Sequence, residues 1–304
     1  MQAEEKSINP EFFHKLEIGG RFEAEGRHLH ALQVYRKLVD DFPAESSAPM
    51  ALAGLLEKTS NTESARAILL DAIEKIPENK ALRLFAGHFF FRQEAWTETI
   101  DILSYLAPEE EPAATFFIAY AYYMLKNYQL ASRHFLQYIS SAPDKEFTQD
   151  AYVYLTKIHV CLEDFENALV YIRKAEEFYS GYHELHLLFA IIYYNMQMTA
   201  HAQTAIDKAL KLNKNDETTM EWAGKISFQS GDYKKAEKFF KKIVNHADSI
   251  DAELLVNLAY ACLNNKKAKE AKEYFETILQ LFPSHKGAKD GIKKLNNEYF
   301  LYEK

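Results

Sequence analysis

Small residues recur along the chain at a nearly fixed interval. Ala31, Ala65, Thr99, Ala131, Ala168, Ala202, Ala236 and Ala271 are separated by 34, 34, 32, 37, 34, 34 and 35 residues. Twelve residues before each stands another small residue: Gly19, Ala53, Gly87, Ala119, Thr156, Ala190, Gly224 and Ala259. Four residues after each stands a large apolar one: Tyr35, Leu69, Leu103, Phe135, Ile172, Ile206, Phe240 and Phe275. A period of this size means a stack of supersecondary units rather than one closed core.

Each unit contains two stretches with apolar residues at i, i+3, i+4 and i+7, the pattern of amphipathic helices. One small residue falls on each helix of the pair, at unit positions 8 and 20. Small side chains let the two backbones approach; a Leu at such a site would overpack it at a cost of about 1–3 kcal/mol. The large residue at position 24 fills the space beside them. Pro43, Pro77, Pro143 and Pro283 occupy position 32 in four units and stop the second helix. Short polar turns such as Ser230-Gly231-Asp232 and Lys126-Asn127-Tyr128 separate the helices, which predicts antiparallel hairpins.

With these columns the chain resembles the tetratricopeptide-repeat family, whose unit is a 34-residue helix–turn–helix. The resemblance implies an all-α fold, a right-handed superhelical solenoid of such repeats. The units are 12–45, 46–79, 80–111, 112–145, 149–182, 183–216, 217–250 and 252–285, about 90% of the chain. Residues 1–11 form a lead, with Asn9 and Pro10 as a helix start. Residues 286–304 form a capping helix with Ala288, Ile292, Leu295, Tyr299 and Tyr302 on one stripe. The joint at 107–112 is two residues short, and Glu146 to Thr148 are three extra residues. Position 4, often Trp in the family, is never Trp here. Pentatricopeptide repeats are usually basic, unlike this chain, and Sel1-like repeats are longer and richer in glycine.

The family usually lines the concave face of its superhelix with first-helix positions 2, 5, 9, 12 and 13. The first two units are small and polar there, with Gly20, Glu23, Gly54, Glu57 and Lys58. Position 12 then becomes Phe91, Tyr123, Val160, Tyr194 and Phe228; position 9 gives His88, Tyr120, Lys157, Ile191 and Lys225. Position 13 gives Arg92, Met124, Cys161, Asn195 and Gln229, and Phe116 stands at position 5 of the fourth unit. Tyr260 and Asn264 continue the row in the eighth. The resemblance thus implies a groove, aromatic in its middle with scattered donors, that holds a peptide or an amphipathic helix of another protein. The seven aromatics, half open, would show roughly 700 Å² of surface, more than the 300–600 Å² patch of an ordinary monomer. Either a partner covers them or the superhelix packs them against itself. The Lys and Asn pair with which some family members grip chaperone carboxylates is absent: unit one reads Leu16 and Gly20.

Other functions find little support. No phosphate-cradling glycine loop and no HExxH occur, so no enzyme activity, cofactor or metal is expected. His183 and His186 are close enough on one helix for a metal but lack a third ligand, so a solvated helix start is the reading; His28 and His30 are treated the same way. Cys161 and Cys262 read as reduced, buried thiols of a cytoplasmic protein. Net charge of −8 argues against nucleic acid, and the longest apolar run, ten residues, is half a membrane span. Residues 1–216 carry a net −10 and residues 217–304 a net +2. Either solvated faces simply differ, or a dipolar surface orients a partner. Self-association through the apolar C-terminal helix is the competing expectation for function.

Overall fold

A computed structural model describes residues 9–108, 110–141, 146–178, 180–246 and 251–297. Among them are seventeen α-helices and no strand. Successive helices pair as antiparallel hairpins that fall into two compact units, residues 1–151 and 152–304.

The first unit holds α1 (Pro10–Ala24) with α2 (His28–Asp41), and α3 (Ser47–Lys58) with α4 (Thr62–Lys75). It continues with α5 (Lys80–Arg92) and α6 (Trp96–Leu103), then α7 (Pro112–Met124) and α8 (Tyr128–Ser141). α9 (Thr148–Cys161) begins at its end. The second unit continues with α10 (Phe165–Phe178), α11 (His183–Asn195) and α12 (Thr199–Leu212). It ends with α13 (Glu217–Gln229), α14 (Tyr233–Val244), α15 (Ala252–Asn264), α16 (Ala268–Leu281) and α17 (Lys286–Leu295).

The three columns of the repeat are the seams of these hairpins. All eight residues of the alanine column are fully buried, as are their large partners from Tyr35 to Phe275. Two of the small residues are threonines, and each hydroxyl is satisfied within its own helix: Thr99 donates to the Ala95 carbonyl at 2.9 Å and Thr156 to that of Tyr152 at 2.8 Å. The reason for smallness is direct. A Cβ built on Gly19, Gly87 or Gly224 would lie under 3.0 Å from the side chain of Tyr35, Leu103 or Phe240, four residues past Ala31, Thr99 or Ala236 of the same repeat.

Helix starts follow capping chemistry. Asn9 accepts from the amides of Glu11 and Phe12, with Pro10 in the first turn. Asn79, Asp216, Asp232 and Asp251 cap α5, α13, α14 and α15 in the same way. Each first helix ends in a left-handed residue: Gly26, Ser60, Glu94, Lys126, Glu163, Gln197, Gly231 and Lys266. There its own amide and the next one donate back to carbonyls of the last turn, as Lys126 to Tyr123 and Asn127 to Tyr122 do, a Schellman closure repeated eight times.

α17 packs Ala288 and Leu295 fully inward and lays Gly291 against the Phe275 ring. Tyr299, Phe300, Leu301 and Tyr302, the apolar tail expected to extend it, lie outside the described residues, as does Pro143.

Candidate functional site

The first unit brings together a row of half-buried rings. Phe91 of α5 stands 4.8 Å from Phe117, 5.1 Å from Tyr120 and 5.5 Å from Trp96, centroid to centroid. His88 meets Phe117 at 4.8 Å, and Tyr123 lies between Tyr120 and Tyr128 at 6.5 and 6.0 Å. Burial pushes the His88 imidazole below its ordinary value, with Arg92 adding to the shift. Phe117 and Trp96 belong to this row and were not legible from the repeat positions, since neither falls in a family lining column.

Phe116 is a correction. It is 5% exposed and sits in the core, not on an open face. The cause is the three-residue insertion: Phe147, one of those residues, stacks on Phe116 at 4.7 Å, while Phe135 and Tyr138 close the other sides.

Arg92 is present on the expected face but already engaged. Its guanidinium donates to both Glu57 oxygens, at 3.2 and 2.7 Å, and Gln93 adds a third bond at 3.2 Å. One repeat earlier, Lys58 pairs with Glu23 at 2.5 Å. These residues lie 35 apart, so the charged columns lace successive repeats together.

In the second unit, four of the expected residues converge. A cavity of about 210 Å³ is lined by Tyr194 of α11, Lys225 and Phe228 of α13, Phe240 of α14, and Asn257 and Tyr260 of α15. Tyr194 is braced by Trp222 at 5.4 Å and Phe228 by Tyr233 at 5.2 Å. The Tyr260 hydroxyl donates to the Gly287 carbonyl at 3.1 Å, tying the wall to α17. Lys225 is held by Glu221 at 2.5 Å and lies over the Trp222 ring. The Asn257 side chain has no hydrogen-bond partner among the described residues, so its carboxamide offers a donor and an acceptor to the cavity.

The remaining expected donors are engaged within the protein. Asn195 donates to the Ile191 carbonyl and Asn264 to that of Tyr260, each at 2.8 Å. Lys157 pairs with Glu184 at 2.5 Å. Burial of Glu184 works against ionisation, but the bond from Lys157 and its charge hold the carboxyl below its usual value.

Two further expectations are corrected. Cys161 is exposed, not buried, because position 13 is the last turn of α9, where the hairpin opens to water; Cys262 is buried as expected. His186 is 8% exposed rather than solvated, and stands at the wall of a cavity between α11 and α12.

Among the described residues one carboxylate–thiol group, Glu237, Cys262 and Glu270, is close enough to hold a metal ion, and His183 with His186 is not part of it. Its chemistry does not suit a cation. Glu237 already accepts from Lys241 at 2.8 Å, Lys267 at 2.6 Å and Asn265 at 2.7 Å, and Lys241 also bonds Glu270 at 2.7 Å. Burial alone would raise the Glu237 carboxyl; the three bonds more than offset it and take it down to about 2. Burial, with Glu237 adjoining, pushes the Cys262 thiol up to about 11, so it stays protonated and a poor ligand. The group is an ion network that joins α14 to α15 and α16.

A family model for the tetratricopeptide repeat matches residues 227–289. The cell division cycle protein 16 homologues of Homo sapiens and Mus musculus are 25% and 24% identical over 180 residues, 56% of this chain. The chain spans 29% of the length of these curated relatives. Among solved structures, the APC/C hetero-tetramer Cut9–Hcn1 aligns with a TM-score of 0.60 and 17% identity, over 88% of this chain and 52% of that one. PilW, a type IV pilus biogenesis factor, aligns at 0.50 and 17% over 81% of this chain and 98% of its own. YrrB, described as having an unusual peptide-binding site, aligns at 0.51 and 14% over 61% and 95%. Residues 227–289 thus match the tetratricopeptide repeat, and the chain has the helical-repeat fold of the solved structures it aligns with. No described helix is long and apolar enough to cross a membrane.

Proposed function

We propose that this protein is a non-enzymatic adaptor that holds a segment of another protein against the first helices of its second unit. One observation carries the reading: side chains from three successive first helices, α11, α13 and α15, enclose a single apolar cavity with an uncommitted carboxamide at its wall. An apolar side chain of the partner fills the space between Tyr194, Phe228 and Tyr260. Asn257 pairs with the partner's backbone amide, which needs one donor and one acceptor. The aromatic row of the first unit, from His88 to Tyr123, offers a second apolar surface of the same kind. Affinity is modest, about micromolar, because the bound segment must be ordered. The relatives support an assembly role: Cut9 is seen in a hetero-tetramer and YrrB has a peptide-binding site.

The test is affinity purification with mass spectrometry of the wild type, Tyr194→Ala/Phe228→Ala, Asn257→Ala and Tyr123→Ala proteins, with helical content checked by circular dichroism. Partners should be lost from the first two variants. Undiminished capture by the Tyr194→Ala/Phe228→Ala protein would remove this cavity as the binding site.

A further inference from the structure

The second helices of the second unit carry features that the adaptor reading leaves unused. α10 and α12 flank a cavity of about 360 Å³ above α11. Phe189, Tyr193 and Ala205 form its apolar floor, and His186, His201 and Lys208 stand around it. This is within the range of volumes that bind ligands. The Tyr193 ring is braced by Phe189 at 6.0 Å and His201 at 5.2 Å, so the floor is preformed.

Exposed basic residues lie around this cavity, with Glu176 in its lining. Lys174 on α10, Lys208 on α12 and Lys242 on α14 occur 34 residues apart, at the same place in three successive repeats. All three are exposed, and among the described residues none is paired with a carboxylate. Arg173, Lys211 and Lys238 on the same helices are likewise exposed and unpaired there. Asp207, which could neutralise the middle of the row, is instead bound to Lys235 at 3.5 Å, an interaction that also sets α12 beside α14. Burial and the nearby Lys208 charge lower the His186 imidazole, which leaves it neutral at pH 7 and Lys208 as the charge at the mouth.

We propose that this face is a second docking site, taking a short acidic segment of a partner protein: one apolar side chain enters the cavity over Phe189 and Tyr193, and carboxylates on either side meet Lys208 and its equivalents Lys174 and Lys242. A nucleic acid fits less well. The whole chain carries −8, so a long polyanion running past the lysine row is repelled where a short acidic segment confined to it is not.

The experiment uses the full chain and a fluorescein-labelled, twelve-residue peptide of Glu, Asp and Ser with one central Trp, read by fluorescence anisotropy. Parallel probes are the same peptide with Ser for Trp, a lysine-rich counterpart and an oligothymidine of similar length. The acidic Trp peptide should bind saturably and weaken with salt. Affinity should drop tenfold or more for Lys174→Glu/Lys208→Glu/Lys242→Glu, and also for Thr204→Trp, which fills the cavity while leaving every charge. Tyr194→Ala/Phe228→Ala should leave it unchanged, which separates this site from the first-helix cavity. The proposal is overturned by no saturable binding up to about 1 mM, by equal binding of the Ser peptide, by tighter binding of the oligothymidine, or by insensitivity to both variants.

Discussion

Two glycines in similar helices should respond in opposite directions to the same substitution. Gly54 lies on α3 with only the tip of Phe85 near it, at 3.8 Å, so an added methyl meets ordinary van der Waals contact. Gly54→Ala should therefore stabilise the protein by about 0.5–1 kcal/mol, the helix-propensity difference. Gly224 lies on α13 against the Phe240 ring, and three ring atoms would stand under 3.0 Å from the new Cβ. Phe240 is 1% exposed, packed in the core beside the cavity it borders. The same propensity gain is set against an overpacking cost of about 1–3 kcal/mol. Gly224→Ala should come out destabilising, with the two variants about 1–3 kcal/mol apart, the overpacking cost itself. Urea denaturation followed by circular dichroism measures this through the shift in midpoint at constant slope. Gly224→Ala combined with Phe240→Leu should recover part of the loss relative to Phe240→Leu alone. Equal effects of the two glycine substitutions would show that close approach is not what the small-residue column is for.

The buried ion network predicts an acid response. The Glu237 carboxyl titrates at about 2 in the folded protein against an ordinary 4.5, so its contribution is fully present above about pH 4.5 and is lost as pH falls toward 2. Glu237→Gln should cost about 1–2 kcal/mol at pH 7 after allowing for the partly exposed lysines, and the gap from wild type should close on acidification; a gap independent of pH would refute this. The two thiols should separate under a disulfide reagent: Cys161 reacts in the native protein, while Cys262 waits for unfolding. Cys161→Ser should abolish the native-state reaction, and two fast thiols in the wild type would contradict the packing described.

The helical hairpins and their seams were legible because smallness at positions 8 and 20 and bulk at position 24 are demanded by backbone approach, which acts identically in every repeat. The inner-face residues were legible only as positions. Tyr194, Lys225, Phe228 and Tyr260 do meet around one cavity, but Asn257, which completes it, falls outside the columns used. Arg92, Lys157 and Asn195 stood in the right columns, yet which donors remain free depends on neighbours such as Glu57 and Glu184, and a column does not show those. Phe116 was misread because a local insertion brought Phe147 onto it, and insertions break the periodicity that supports the rest. Cys161 was misread through residue type: a thiol is usually buried, but the end of a hairpin helix is wet whatever stands there.

The eight left-handed closures bear on how such a chain can change. Glycine occupies two of them; Ser60, Glu94, Lys126, Glu163, Gln197 and Lys266 hold the same backbone shape with a side chain attached, at about 1 kcal/mol each. Sites so far apart contribute independently. The protein therefore holds several kcal/mol of untapped robustness in its loop tips; Ser60, Glu94 and Lys126 belong to the unit that holds neither cavity, so there endurance can be tuned apart from partner choice.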